Sequence, residues 1–570
     1  MTTLSRRDVI QIGLAAAALG SGGLGARALA QQRLTQADLL AFEPLGQVTL
    51  LHFTDIHAQL RPLYFREPSV NIGVGEVAGL APHLTGKAML EAYGLKGGSL
   101  DAYALTSSEF AALARTYGRI GGLDRMAGVV KTIRAERPGR TLLLDGGDTW
   151  QGSYTSLRSQ GADMVEAMNA LGVDAMTAHW EFTYGAERVK SLKDTLRFPF
   201  LAANVKDTAF GDAVFDADMV VSRGGLAIGV IGQAFPYTPV ANPRWMIPEW
   251  SFGIEEERIR SRILALRDQK VDLVVLLSHN GFDVDRKLAS RVDGIDVILT
   301  GHTHDALPQP VRVGDTLLVA SGSHGKFLSR LDLEVRDRRV VGWRYKLIPL
   351  LSDVIAPDPD MAALITRLRA PHAAALSQVV ARTESTLYRR GNFGGTMDDL
   401  ICRALLAERD AEIALSPGFR WGATLLPGQD ITAEDVYNQT AITYPAAYRN
   451  EMKGSFLKEI LEDVADNLFN PDPYYQQGGD MVRVGGLAYA IDIAAPMGRR
   501  ISDMTLLRTG EKIDPARTYV VAGWASVNEA TQGPPVYDVV MRHLKANPIV
   551  RLDDRRPVRV SGADPRGMVE

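Results

Sequence analysis

Metal-binding side chains recur at the carboxyl ends of apolar runs, and that recurrence limits the fold of this chain more than any other feature. Asp55-Ile56-His57 follows the run Val48 to Phe53, and Gly147-Asp148 follows Thr141 to Leu144. Ser278-His279-Asn280 follows Val271 to Leu277, and Gly301-His302-Thr303-His304 follows Val297 to Thr300. A fifth segment, His179-Trp180-Glu181, lies between them. Short apolar runs of this kind suit buried strands. Ligands at the carboxyl ends of several parallel strands converge on one crevice, where open α/β sheets bind their ligands. Carboxylate and imidazole donors in that number suit two divalent ions. The chain reads as a binuclear metallohydrolase.

Asp55 and His57 flank one residue, so on a strand end both project the same way and can hold one ion. Asp148, reached over Gly146-Gly147, is placed to bridge two ions. His279 follows its own strand. His302 and His304, again two apart, are expected on one face. Such pairs stand roughly 3.5–4 Å apart and polarise a bridging water into hydroxide. His52, inside the first run, reads as a buried structural histidine. His83, His324, His372 and His543 read as solvated or capping groups, although His324 could approach the site from a strand end.

The composition excludes other classes. With 570 residues, 46% of them hydrophobic, the chain can bury more than one core, and its net charge of −4 gives no basic run for nucleic acid. Ser5-Arg6-Arg7, the apolar stretch Ile12 to Leu19 and Ala28-Leu29-Ala30 make residues 1–30 a twin-arginine export signal, so the mature protein is expected in the periplasm. No later stretch is long and apolar enough to span a bilayer. Cys402 is the only cysteine; it reads as a packing residue, and no internal disulfide can form.

From 47 to about 350, strand-like runs alternate with amphipathic stretches (Gly122 to Ala135, Gly161 to Leu171, Glu255 to Arg267, Val284 to Val292), which argues for a layered α/β domain. An insertion of about 58–120 holds two helical stretches, Ala81 to Tyr93 and Ser107 to Tyr117. It is either a lobe beside the site or a passive decoration elsewhere. Ala356-Pro357-Asp358-Pro359-Asp360 is turn chemistry. A connector over 351–376 follows, and 377–560 reads as a separate α/β domain with helices Met397 to Glu408 and Lys453 to Asn467.

The order D-x-H, G-D, H-x-E, S-H and G-H-x-H resembles the calcineurin-like metallophosphoesterases, and with a long second domain it resembles their 5′-nucleotidase branch. The resemblance implies a four-layer αββα catalytic domain followed by a smaller C-terminal α/β domain that closes the substrate site. It implies Asp55, His57, Asp148, His279, His302 and His304 as ligands. Where 5′-nucleotidases carry Gly-Asn-His-Glu, this chain has Ala178-His179-Trp180-Glu181. His179 takes the place of the ligating Asn. Trp180 takes that of the catalytic His, and an indole exchanges no proton at neutral pH. Thr183 stands where an Asp orients that His.

The His-Trp-Glu-Phe variant, the insertion and the leader together resemble the SoxB thiosulfohydrolases of the periplasmic thiosulfate-oxidising system. That resemblance implies attack of a dimetal-bound hydroxide on the sulfonate sulfur of a thiosulfate carried on a cysteine, releasing sulfate. The cysteine belongs to the flexible C-terminal arm of a SoxYZ-type sulfur carrier protein. The persulfide left behind is a good leaving group, which makes the loss of a general acid at Trp180 tolerable. The family is associated with two Mn2+; nitrogen and oxygen donors also admit zinc or another divalent metal. Asp148, Arg420 and Trp180 are the expected catalytic residues. Arg420 and Arg483 are the expected substrate-binding residues, with Arg449 a lesser candidate. Met481 lies near the place of the nucleotidases' base-stacking ring. A periplasmic 5′-nucleotidase-like phosphoesterase, a weakened phosphoesterase and a non-catalytic binding partner with a vestigial metal site are the alternatives.

Overall fold

The computed structural model describes residues 34–553 and 557–569; the leader expected over 1–30 lies outside them. The two large sheets use β1 (Val48–Phe53), β2 (Thr141–Asp145), β3 (Ala175–Met176), β4 (Asp218–Arg223), β5 (Leu226–Gln233) and β6 (Leu273–Ser278). To these the chain adds β7 (Val297–Thr300), β8 (Val311–Val313), β9 (Thr316–Ala320), β10 (Phe327–Arg336) and β11 (Arg339–Pro349). One sheet is ordered β11-β10-β1-β2-β3, the other β8-β9-β7-β6-β5-β4. Strands β1 to β3 run parallel, as do β5, β6, β7 and β9.

The apolar runs are continuous because both faces of these strands are covered. Leu50, Leu142 and Leu144 of one sheet share a core with Val230, Val275, Leu277 and Leu299 of the other, so the sheets pack face to face. The intervening residues Leu51, Phe53 and Leu143 point outward, onto α1 (Leu123–Glu136) and α2 (Ala162–Leu171). On the far side, Val274, Leu276 and Ile298 pack on α3 (Glu256–Asp268) and α4 (Phe282–Arg291). Helix, sheet, sheet and helix give the αββα sandwich implied by the resemblance. Register aligns the strand ends: Phe53 pairs with Asp145, Asp145 with Met176, Gln233 with Ser278, and Ser278 with Thr300. The loops leaving β1, β2, β3, β6 and β7 therefore open at one edge.

The Asp-Pro turn expected near 358 is a helix start. Asp358 accepts a hydrogen bond from Met361 N at 3.0 Å, and Pro359, which has no N–H to leave unpaired, begins α5 (Pro359–Arg369). The C-terminal half packs α6 (Thr396–Glu408), α7 (Gly454–Phe469) and α8 (Val536–Ala546) around a sheet ordered Tyr448–Lys453, Thr518–Gly523, Ile413–Ser416, Arg483–Gly485. Cys402, on α6, is buried in that core.

The insertion is wedged between the halves beside the site. Its helices are shorter than the sequence suggests (Gly86–Ala92, Phe110–Tyr117), with Leu100–Leu105 between them. Leu63 and Phe65 pack on Ala423, and Ile72 N donates to Asn392 Oδ1 at 2.7 Å. Glu67 pairs with Lys326, whose side chain is 1% exposed, at 2.7 Å. Burial depresses the Lys326 pKa, and Glu67 opposes that shift. Removing one partner from a buried pair leaves an uncompensated charge. Glu67→Ala should therefore cost about 3–5 kcal/mol, and replacing both residues by apolar ones of similar volume much less, as read from denaturation midpoints of the full chain.

Candidate metal centre

The five loops bring seven side chains into two buried groups that share a carboxylate: Asp148, His179, His279 and His302 form one, and Asp55, His57, Asp148 and His304 the other. A single oxygen of Asp148 faces both. Its Oδ2 lies 3.3 Å from His179 Nδ1, 3.2 Å from His279 Nε2 and 3.8 Å from His57 Nε2. Its Oδ1 accepts the Trp180 N–H at 2.7 Å.

The strand ends deliver the ligands to one neighbourhood as expected, but strand alternation does not aim them. Asp55, His57, Asp148, His302 and His304 all have positive φ, between 49° and 76°, which alternation along a strand does not produce. Such backbone is uncommon outside glycine and costs free energy, so it persists where the surroundings over-determine it. One consequence is a correction: His302 and His304 do not share a face but enter different groups. Gly147, at φ 90°, lets the loop after β2 pass where a Cβ would stand 3.0 Å from the Ala178 backbone.

Glu181 ties the β2 and β3 loops together. Its carboxylate accepts N–H bonds from His179 at 2.8 Å, Thr149 at 2.6 Å, Trp150 at 3.1 Å and Asp148 at 3.3 Å. The histidines are fixed from behind in the manner of metal ligands. His57 Nδ1 donates to Gln151 O at 3.3 Å, His279 Nδ1 to Gly146 O at 2.6 Å, and His179 Nε2 to Asn242 Oδ1 at 3.0 Å. Each bond turns the opposite nitrogen toward the centre, where His179 Nδ1 and His279 Nε2 face Asp148.

The spacing of these donors fits a cation at each group. His57 Nε2 and His304 Nε2 stand 3.0 Å apart, the spacing of two nitrogens about 2.1 Å from one ion at roughly a right angle. His279 Nε2 is buried between two carboxylates, 3.2 Å from Asp148 Oδ2 and 3.7 Å from Asp55 Oδ1. Burial, with neighbouring imidazoles, pushes His302 and His304 well below the ordinary histidine pKa, keeping both neutral. Burial also works against a charge on His279, yet Asp148 and Asp55 raise it to about 10. Burial opposes the charge of Asp148 too, and His179 and His279 still hold it well below the usual carboxylate range. Two divalent ions fit this donor set and would take the place of the His279 proton.

Arg420 borders the centre: its Nη1 donates to His302 O at 3.5 Å, and its guanidinium pairs with Asp480 at 3.4 Å. It lines, with His302, Gly478, Asn71 and His83, a cleft between the insertion and the two halves. Arg483 is corrected. It is 2% exposed and pairs with Asp480 at 3.0 Å and Asp398 at 3.4 Å, so it props Asp480 rather than meeting substrate. Arg449 caps carbonyls of Arg409 and Asp410 away from the centre. Met481 is buried in the C-terminal core.

Trp180 packs on Phe419 and Tyr444, with ring centroids at 5.0 and 6.1 Å, so it forms a wall between the halves. Thr183 bonds Trp180 O at 2.7 Å and orients no acid. Among the other histidines, His52 is buried against Ser321 as expected. His83 and His324 are neither solvated nor caps. His83 pairs with Asp283 at 2.7 Å. His324 follows β9, stacks on Phe65 and lies 5.5 Å from the His57 ring. Asn242, whose Oδ1 backs His179, is a neighbour of the centre that sequence reasoning misses. Glu181 is visible only as part of the motif, and Asn242 lies in a loop with no pattern.

The C-terminal domain model of the 5′-nucleotidases matches residues 374–538. The 5′-nucleotidase of Bos taurus is 27% identical over 439 residues, 68% of this chain and 73% of that one. The solved structure of the sulfate thiohydrolase SoxB of Thermus thermophilus is similar at TM-score 0.88 and 38% identity, covering 92% of this chain and 98% of that chain. A 5′-nucleotidase precursor, also from Thermus thermophilus, shares the fold at TM-score 0.71 and 22% identity, over 90% of this chain and 99% of that one.

Asp148→Asn should abolish binding of both ions, because one oxygen serves both groups. Asn242→Ala should weaken metal affinity by about 10–100-fold, measured by chelator competition. Metal uptake should release protons, and affinity should fall as pH falls and His279 regains its proton. Calorimetry in buffers of different ionisation enthalpy reads that release.

Proposed function

Because the chain belongs to the SoxB family within the 5′-nucleotidase and calcineurin-like metallophosphoesterase superfamily, we propose that it hydrolyses a carrier-bound cysteine S-thiosulfonate and releases sulfate. The observation that carries this reading is Trp180. Its backbone N–H holds the shared carboxylate Asp148, its indole packs on Phe419, and the resemblance puts a proton-exchanging histidine of the nucleotidases at this position. A ribose alkoxide needs a proton to leave; a persulfide anion does not.

Bound at the two groups, divalent cations supply charge that acidifies a water molecule and draws electron density from the substrate's oxygens. Asp55, His57, Asp148, His179, His279, His302 and His304 would hold them; this donor set, without thiolate, admits manganese, zinc, iron or cobalt, and the resemblance selects manganese. Arg420 binds the sulfonate by charge-assisted hydrogen bonds. Asp480, itself held by Arg483, aims the Arg420 guanidinium. The aromatic wall of Trp180, Phe419 and Trp421 faces the sulfane sulfur and excludes water from it. In the balanced reaction the sulfonate sulfur gains one oxygen from water, and its bond to the sulfane sulfur breaks. The electron pair stays on the sulfane sulfur, so the carrier keeps a persulfide anion, sulfate leaves as the dianion, and both protons of the water go to solvent.

The proposed partner is a SoxYZ-type sulfur carrier with its cysteine on a flexible C-terminal arm, met in the periplasm as the twin-arginine leader implies. No helix among the described residues is long and apolar enough to cross a membrane. The manganese-loaded enzyme should release sulfate from a thiosulfate-charged carrier and no phosphate from AMP. Efficient phosphate release without sulfate would return the chain to the nucleotidases. Arg420→Ala should lower turnover by about 10–150-fold, the worth of one hydrogen bond to a charged group. Full sulfate release by metal-free protein would contradict the reading.

A further inference from the structure

Four of the five histidines of the centre have an oxygen behind them, and one of those oxygens comes from the other half of the molecule. His57, His179 and His279 are backed by Gln151, Asn242 and Gly146, all from the N-terminal half. His302 Nε2 donates instead to Gln477 O at 3.2 Å. We infer that the strap 472–480 of the C-terminal half is a positioning device. Its Gln477 carbonyl holds His302 in the tautomer that offers Nδ1 to the metal, so one of the two ions depends on closure of the halves.

The strap is built for close approach. Gly478 and Gly479 follow at φ 72° and 78°, and a Cβ on Gly478 would stand 2.0 Å from His302 Nε2. Any side chain there would push the imidazole away. The strap is also latched to the sandwich at its far end. Tyr474 Oη donates to Glu256 at 2.6 Å, Asp472 pairs with Lys287 at 2.5 Å, and Lys287 lies 4.1 Å over the Tyr474 ring. Tyr237 Oη donates to Tyr474 O. The next residues carry the anion-binding group, since Arg420 donates to Gly479 O and pairs with Asp480. One segment thus sets both a metal ligand and the arginine.

The two groups differ in this respect. Asp55, His57, Asp148 and His304 come wholly from the N-terminal half, as does the acceptor behind His57. The ion at His179, His279 and His302 should be the labile one. This inference rests on the two-metal reading above, but its test needs no substrate, so failure of the hydrolysis assay would not decide it.

Manganese is titrated into the full chain against a chelator, and bound metal is counted by elemental analysis. Wild type should bind two ions. Gly478→Ala should weaken one of them by about 10–100-fold and leave the other unchanged. A latch variant, Glu256→Gln with Lys287→Met, lies away from the centre and should shift the same ion in the same direction. Gln477→Ala, which keeps the carbonyl, should match wild type. Two ions held as in wild type by the latch variant would overturn the inference, whether or not Gly478→Ala folds. Equal weakening of both ions would overturn it as well. A wild type that binds no metal would instead sink the two-metal reading.

Discussion

One oxygen of Asp148, buried among three imidazoles and shared by two groups of ligands, is the contact on which the arrangement depends. A carboxylate so buried is costly unless its charge is met from several sides. The chain meets it with His179 and His279 on Oδ2 and with the Trp180 N–H on Oδ1. Glu181 then gathers four N–H groups from the loops after β2 and β3, which fixes where Asp148 can stand. Left-handed backbone at five ligand positions is the cost of aiming side chains from parallel strand ends into a space of a few ångströms.

The C-terminal half completes what the sandwich begins. It brings the aromatic wall against Trp180, the Arg420–Asp480–Arg483 chain to the mouth of the cleft, and the glycine strap against His302. The insertion joins this assembly through Asn392, Ala423 and the Glu67–Lys326 pair. This arrangement is consistent with the proposed substrate, a carrier arm. Trp180 and Thr183, neither of which exchanges a proton at neutral pH, are consistent with the proposed leaving group, a stable anion.

Much of this is legible in the sequence, for a physical reason. Strands covered on both faces must be continuously apolar, so their ends, and the ligands just past them, stand out. The loops beyond the strand ends are less legible. Alternation predicts His302 and His304 together; positive φ separates them. Asn242 and the Gln477 carbonyl leave no trace, because an acceptor behind a ligand can be any loop amide or any backbone oxygen. Arg483 is a plausible anion binder by composition alone, and only its burial against Asp398 and Asp480 reveals it as a prop. His83 and His324 lack strand context for opposite reasons: one lies in the insertion, and the other sits four residues past β9.

The proposed chemistry makes one bond, between water oxygen and sulfonate sulfur, and that bond can be traced. Thiosulfate-charged carrier is turned over in 18O-enriched water, and both the sulfate and the carrier are analysed by mass spectrometry. The account predicts sulfate carrying a single labelled oxygen and a carrier that retains one extra sulfur. Sulfate without label, or label on the carrier instead, would contradict it.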